Sequence, residues 1–449
     1  FSSVYTHSKT AMRSNSDSAS EGADSSKFVV KNDYVQNHAK YTLYSNGTAT
    51  FLGGVDESVV VTVIESSVSY DGKSFMVTAV GNGNLLSGSI RQPDDGPLVI
   101  PDSVQSIGTA AFANSYGIKE VKIGSGVQTI GKNAFSQTSG LENVIFSESG
   151  SLKSILDGAF ERIQSLKSVS LPDSLEYLGS KVFTHVENLH IGKNLSSIGL
   201  DAFGLGIIRI TVSEENTCFS FHDGSLYGLK DGKEAILLQC WTKEASYTVS
   251  DGVVEIGDNA FIHASTIEVL TVPASCEIIG THLFALDSTS GDYSLSKIII
   301  GDCKSLSIKG DALYGINKKE PVKAIEFNPE KCKITSIGDN VFQKIEQFGN
   351  RAGEIIIPSS TETIGNNAFS NNTATKLFFL SGSNLRSLGD KAFYNGQYES
   401  VNLSACSSLK AIPDNCFNSL NKTVNKYTLS LPVNLQSIGS SAFSISNPS

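Results

Sequence analysis

Apolar positions along the chain fall into two alternating phrases. The first reads apolar-x-x-apolar-x-apolar: IKEVKI (Ile118 to Ile123), LENVIF (Leu141 to Phe146), LKSVSL (Leu166 to Leu171), and again from Ile267, Leu295 and Val322. Its last three positions alternate, which is the periodicity of a strand with one buried face. The second phrase is Ile-Gly-x-x-Ala-Phe, as in IGKNAF at Ile130 and IGDNAF at Ile256. Its opening residue recurs at Ile107, Ile130, Ile155, Leu178, Ile198, Ile256, Ile279, Ile308, Ile337, Ile364, Leu388, Ile412 and Ile438. The steps are 23, 25, 23, 20, 58, 23, 29, 29, 27, 24, 24 and 26 residues. Five residues after the opener stands Phe in twelve of thirteen units, with Leu313 the exception. About half of the chain's 23 Phe therefore serve one repeat position.

One such unit cannot bury its apolar residues alone, whereas a stack can. The pattern predicts three ladders: inward strand residues, openers, and stacked Phe rings. Gly follows the opener in ten of the thirteen units. It is expected there because a turn needs a backbone conformation that a Cβ resists. Leu156, Lys309 and Pro413 replace it, and Cys416 replaces the small residue before Phe417. A chemical motif is rarely copied thirteen times, so the phrase reads as architecture.

These phrases resemble the BspA-type leucine-rich repeat family, whose unit reads L-x-x-V-x-I-P-x-S-V-x-x-I-G-x-x-A-F. IPDSVQSIGTAAF and LPDSLEYLGSKVF carry the likeness, which runs from about residue 80 to residue 443. The period and the L-x-x-L-x-L strand fit the leucine-rich repeat signature. The resemblance implies an α/β-type repeat solenoid, predominantly β and irregular, of about fourteen units. Residues 1–27 are Ser-rich and read as disordered. Residues 28–79 read as a β-rich N-terminal cap, with Asn46-Gly47 and Asp71-Gly72 as hairpin turns. The array then fills residues 80–449. The 58-residue step holds an insert at about 213–250, expected to project as a hairpin with Asp231 and Gly232 at its tip.

The resemblance further implies a non-enzymatic binding protein. It would be a cell-surface or secreted adhesin engaging host proteins or extracellular matrix proteins such as fibronectin. An intracellular interaction scaffold is the alternative. The outward strand position gives the candidate binding stripe: Lys122, Ile145, Ser170, His190, Thr211, Thr271, Ile299, Glu326, Ile356, Phe378, Asn402 and Ser430. Outward residues of a one-sided sheet should be polar. Ile145, Ile299, Ile356 and Phe378 are not, which hints at a contact surface.

Composition changes this picture little. The net charge of −10 argues against nucleic acid, which needs clustered Lys and Arg. No apolar run approaches the roughly 20 residues of a membrane span, so no direct membrane insertion is expected. The chain opens on Phe1 and reads as a fragment or a processed form. The seven cysteines are scattered with no C-x-x-C pair and leave the compartment open. Cys303 and Cys332 hold equivalent positions in adjacent units, about 4.8 Å apart and within disulfide reach. No nucleophile elbow, H-E-x-x-H or P-loop occurs, so neither cofactor, metal nor catalysis is expected. His185 and His190 read as surface residues and Trp241 as packing. Sequons stand at Asn46, Asn194, Asn371, Asn402 and Asn421 and matter only on a eukaryotic secretory route.

Overall fold

The computed structural model describes residues 27–56, 60–83, 90–94, 96–284, 293–313, 322–418 and 428–444. The fold is a β-solenoid of about fourteen turns. Among the described residues there is no α-helix, so the α/β label is not confirmed: the described returns across the back of the coils are made of turns. The chain divides into two compact units, residues 1–221 and 222–449. The expected disordered segment lies outside the described residues except for Lys27.

In the first unit, strands Val29–Gln36, Ala39–Tyr44, Thr48–Gly54 and Lys73–Val80 lead into the opener strands. Lys73–Val80 pairs in parallel with Ser106–Ile107, and the opener ladder then runs unbroken through Thr129–Ile130, Ser154–Ile155 and Tyr177–Leu178 to Ser197–Ile198. The rings of Phe112, Phe135, Phe160 and Phe183 stack along the core with centroids 4.9, 5.1 and 5.4 Å apart. Offset stacks at this spacing add to the burial of each ring.

In the second unit, strands Ser225–Lys230 and Lys233–Cys240 form an antiparallel hairpin. Asp231 and Gly232 turn it with φ of 51° and 72°. The hairpin does not project. Its second strand pairs in parallel with Glu255–Ile256 and so continues the opener ladder. Leu226, Tyr227, Leu237 and Cys240 are buried, which is why the hairpin stays in the stack. The ring ladder runs from Phe261 to Phe284, lapses at Leu313, and resumes from Phe342. Phe369, Phe393, Phe417 and Phe443 then stack with interplanar angles of 1° to 2°. At the lapse the Phe342–Phe369 pair tilts by 35°, and a small apolar void of about 10 Å³ lies beside Leu313, Ala312 and Phe342.

The turn glycine has a different cause from the one expected. The Gly after the opener does not adopt positive φ. A Cβ at Gly131 would stand 2.7 Å from the carbonyl carbon of Gly108 in the preceding coil, and one at Gly338 would stand 2.1 Å from the nitrogen of Gly310. Glycine is there for close backbone approach. The left-handed residue comes two positions later: after all thirteen openers, the third residue on has φ between 49° and 66°. Asn133, Asn259, Asn340, Asn367 and Asn415 fill it, Asn being among the side chains that tolerate this region best. Where Leu156 displaces the first Gly, Gly158 takes the left-handed position.

The residue between them explains why Asp and Asn recur. Asp258 Oδ1 accepts the N–H of Thr281 at 2.8 Å, and Asp339 Oδ1 accepts that of Asn366 at 2.6 Å. Asn366 and Asp414 do the same for Asp390 and Ser440. Each side chain thus supplies an acceptor to the next coil, the kind of partner a turn N–H needs.

Candidate functional site

The outward strands of the two units pair differently. In the second unit they form one sheet of nine strands from Ser246–Thr248 to Thr428–Ser430. In the first they form two three-stranded sheets: Leu98–Ile100, Glu120–Ile123 and Asn143–Phe146, then Ser168–Ser170, Asn188–Ile191 and Arg209–Val212. No backbone hydrogen bond joins Asn143–Phe146 to Ser168–Ser170 among the described residues.

Local sequence accompanies the split, but connector length alone does not set it: connectors of ten residues from Phe327 to Ile337 and nine from Leu403 to Ile412 leave the outward strands that follow paired. Phe146 to Ile155 is nine residues, against seven from Ile123 to Ile130 and from Leu171 to Leu178. The extra length turns at Ser147–Gly150, where Gly150 N–H reaches Ser147 O at 3.1 Å. Phe146 also stands where the neighbouring coils have aliphatic residues, and it is only half-buried whereas Ile123 and Leu171 are buried. In the second unit Phe379 to Leu388 is likewise nine residues. There too pairing weakens, to a single register pair between Leu377 and Val401.

At the split lies a groove of about 540 Å³, lined by Asn143, Val144, Ser168, Val169, Ser170, Asn188, Leu189, His190, Arg209 and Thr211. Ser170, His190 and Thr211 belong to the expected stripe and stand side by side in register. His190 Nδ1 lies 3.0 Å from Thr211 Oγ1, which orients the ring. Sequence reasoning missed Asn143, Ser168, Asn188 and Arg209. They sit one outward position earlier on each strand, and the same alternation could have shown them. No carboxylate lines the groove. Arg209 is exposed and has no ion-pair partner among the described residues.

The other stripe residues are not gathered into this groove. Lys122 and Ile145 are exposed on the sheet before the split, in register with Val99. Thr271, Ile299 and Glu326 form a half-buried row in the second unit, where Glu326 pairs with Lys297 at 3.0 Å. Phe378 and Asn402 are exposed; Ser430 is half-buried. Ile356 corrects the expectation: it is only 2% exposed. An additional strand, Gln347–Phe348, enters the sheet beside Glu354–Ile357. Gly349 packs on Ile356 from that side, and Phe378 stands against it in register on the other.

The remaining candidates have structural surroundings. His185 Nδ1 lies 3.0 Å from Thr184 Oγ1, and no group of three or more His, Cys, Asp or Glu among the described residues is arranged to hold a metal ion. Trp241 is buried and stacks on His263 at 6.0 Å. All seven cysteines are free, and Cys303 and Cys332 are buried thiols. Burial pushes the Cys276 thiol up to about 12 and raises that of Cys416, so neither is a ready nucleophile. Asn46, Asn194 and Asn402 are exposed. Asn371 accepts from Asn395 Nδ2 at 3.0 Å, and Asn421 lies outside the described residues.

Stacked coils with an outward strand face define a protein-binding repeat protein. The model of the BspA type leucine rich repeat region matches residues 97–205, 236–346 and 335–448 with six copies, and the chain belongs to that family. No curated protein matches it. Similar solved structures include a leucine rich cell surface protein from Faecalibacterium prausnitzii, at 17% identity over 93% of this chain and 98% of that one, TM-score 0.44. A leucine-rich repeat protein from Bacteroides ovatus is 20% identical over 91% of this chain and 90% of that one, TM-score 0.48. The pneumococcal vaccine antigen PcpA is 17% identical over 93% and 89%, TM-score 0.40. No helix of the described residues is long and apolar enough to cross a membrane.

Proposed function

We propose that the protein is a non-enzymatic adhesin, displayed on the cell surface or secreted, that engages host or extracellular matrix proteins through its outward strand face. The observation that carries this reading is the groove on that face of the first unit. It is concave and lined mainly by outward side chains of four strands. Family membership supports protein binding, and the surface role is the reading we add. In the same reading the strands from Val29–Gln36 to Lys73–Val80 close the end of the ladder, as terminal units of a solenoid must.

A panel of immobilised matrix proteins, fibronectin among them, tests the proposal by surface plasmon resonance of the purified chain. Ser170→Trp places a large ring in the groove on a side chain that faces water, and circular dichroism checks the fold. Binding to at least one matrix protein, weakened about tenfold or more by Ser170→Trp, is the expected result. Capture of cytosolic proteins with no matrix binding would instead support an intracellular scaffold.

A further inference from the structure

We propose that the groove takes an extended, acidic polypeptide segment of the partner, a proposal that rests on the protein-binding reading above. Two independent features point to this chemistry. The first is charge. Arg209 is the one fixed cation of the lining, His190 stands beside it on the neighbouring strand, and no carboxylate is present to neutralise either. A guanidinium presents a planar fork that binds a carboxylate through two parallel hydrogen bonds. Thr211 holds one side of the His190 ring at Nδ1, which leaves Nε2 for a ligand.

The second feature is the split sheet. Asn188 N–H reaches Lys167 O at 3.0 Å, and Leu171 N–H reaches His190 O at 3.0 Å. Lys167 and Leu171 therefore spend these backbone groups on the strand Asn188–Ile191. Ser168 and Ser170 turn theirs the other way, toward Asn143–Phe146, where no bond forms. The split presents both N–H donors and C=O acceptors. A polypeptide carries both kinds of partner in its own backbone and would lie over the split, since Asn143–Phe146 stands within 8 Å of Ser168–Ser170 and leaves no room for an added strand. A sulfated or phosphorylated polymer offers mainly acceptors and leaves the carbonyls unmet. Arg209 lies two strand spacings from Ser168–Ser170, about 10 Å. About three residues of extended chain cross that distance. A segment laid across the strands, with one peptide group over the split, thus sets a carboxylate at Arg209.

A fluorescein-labelled dodecapeptide of alternating Gly and Glu serves as the probe, with the Gly-Gln and Gly-Lys versions beside it and fluorescence anisotropy as the readout. The Glu peptide should bind at least about tenfold more tightly than the Gln peptide. Arg209→Gln should erase that difference, whereas Lys331→Gln in the second unit should not. Ser170→Trp should abolish binding of all versions. Equal binding of the Glu and Gln peptides, or an unchanged Glu affinity in Arg209→Gln, overturns the proposal. So does retention of heparin through Arg209 by a folded chain that ignores the Glu peptide. The two readings fail separately. Matrix binding that survives Arg209→Gln removes the acidic-segment proposal alone. Glu-peptide binding by a chain that captures no matrix protein removes the adhesin reading and leaves the groove.

Discussion

The two units run the same three ladders and differ most in the outward sheet. In residues 222–449 the nine outward strands stay paired, and an additional strand even enters beside Glu354–Ile357 to bury Ile356. In residues 1–221 the pairing lapses between Asn143–Phe146 and Ser168–Ser170, where a connector two residues longer and the half-buried Phe146 coincide, and a polar groove lies there. The stack persists through changes in coil length although the second unit interrupts its ladders too: the Phe rings lapse at Leu313, and the opener strands part between Ser387–Leu388 and Ala411–Ile412. A regular scaffold acquires a distinctive site where its repeat is least regular, and that is the principle the following changes examine.

The largest effect concerns what the units share. Phe135 and Phe393 are both fully buried and stacked on both sides. Phe→Ala at either position is expected to cost about 3–5 kcal/mol. Hydrogen exchange resolved by unit should show the loss confined to the unit carrying the substitution. A much smaller cost for Phe135→Ala would mean that the split sheet already relaxes the first unit's core, and the ladders would then not be equivalent.

The difference itself can be removed. Phe146→Ile with deletion of Ser149 and Gly150 returns the connector to seven residues. Ser168 and Ser170 should then gain amide protection, at about 1 kcal/mol per restored bond, and the groove should lose its affinity for the acidic peptide. Unchanged exchange at both serines would show that neither connector length nor Phe146 causes the split.

How much of this could be read beforehand follows from what periodicity encodes. The ladders were legible because each buried position recurs: the strand residues, the openers and twelve Phe all carry the same signal. The register that placed Ser170, His190 and Thr211 together came from the same alternation. The split was not legible, because nothing in the strand Ser168–Ser170 announces that its neighbour, though close, makes no backbone bond to it. Ile356 misled for a related reason. Strand alternation gives the direction of a side chain but not what another segment lays over it, and Gln347–Phe348 is too short to show a strand pattern. The turn glycine was assigned the right place and the wrong cause, since close approach between coils leaves no trace in a single coil.

A smaller effect tests the ladder where the second unit is weakest. Leu313→Phe supplies the missing ring between Phe284 and Phe342, beside the void of about 10 Å³. Because the void is small, the gain is expected to be only about 0.5–1 kcal/mol, typical of cavity filling. Thermal denaturation of the variant should report it. A loss of about 1–3 kcal/mol would indicate overpacking, and would show that the tilt of Phe342 on Phe369 is a settled repacking around leucine.

The smallest effect distinguishes the units by pH. His222 stacks on Tyr227 at 4.8 Å, with Nε2 2.5 Å from Glu234 Oε1 and Nδ1 3.1 Å from Asp223 Oδ2. Burial works to lower its pKa, but the two carboxylates outweigh that and hold it above the ordinary histidine value. Among the described residues no histidine of the first unit pairs with a carboxylate. A raised folded pKa means that the imidazolium stabilises the second unit fully below the unfolded value, near 6.5. That contribution disappears as pH climbs through the folded value. Because the His222 side chain is 41% exposed, solvent screens the pairs and the contribution should stay well below about 1 kcal/mol. Hydrogen exchange in residues 222–261 at pH 6 and pH 9, corrected for intrinsic rates, should show slightly lower protection at the higher pH. Glu234→Gln should reduce that dependence, since it removes one of the two charges that raise the pKa. A dependence of equal size in the substituted chain would assign it to groups other than His222, and the hairpin would then owe its place to its buried residues Leu226, Tyr227 and Leu237.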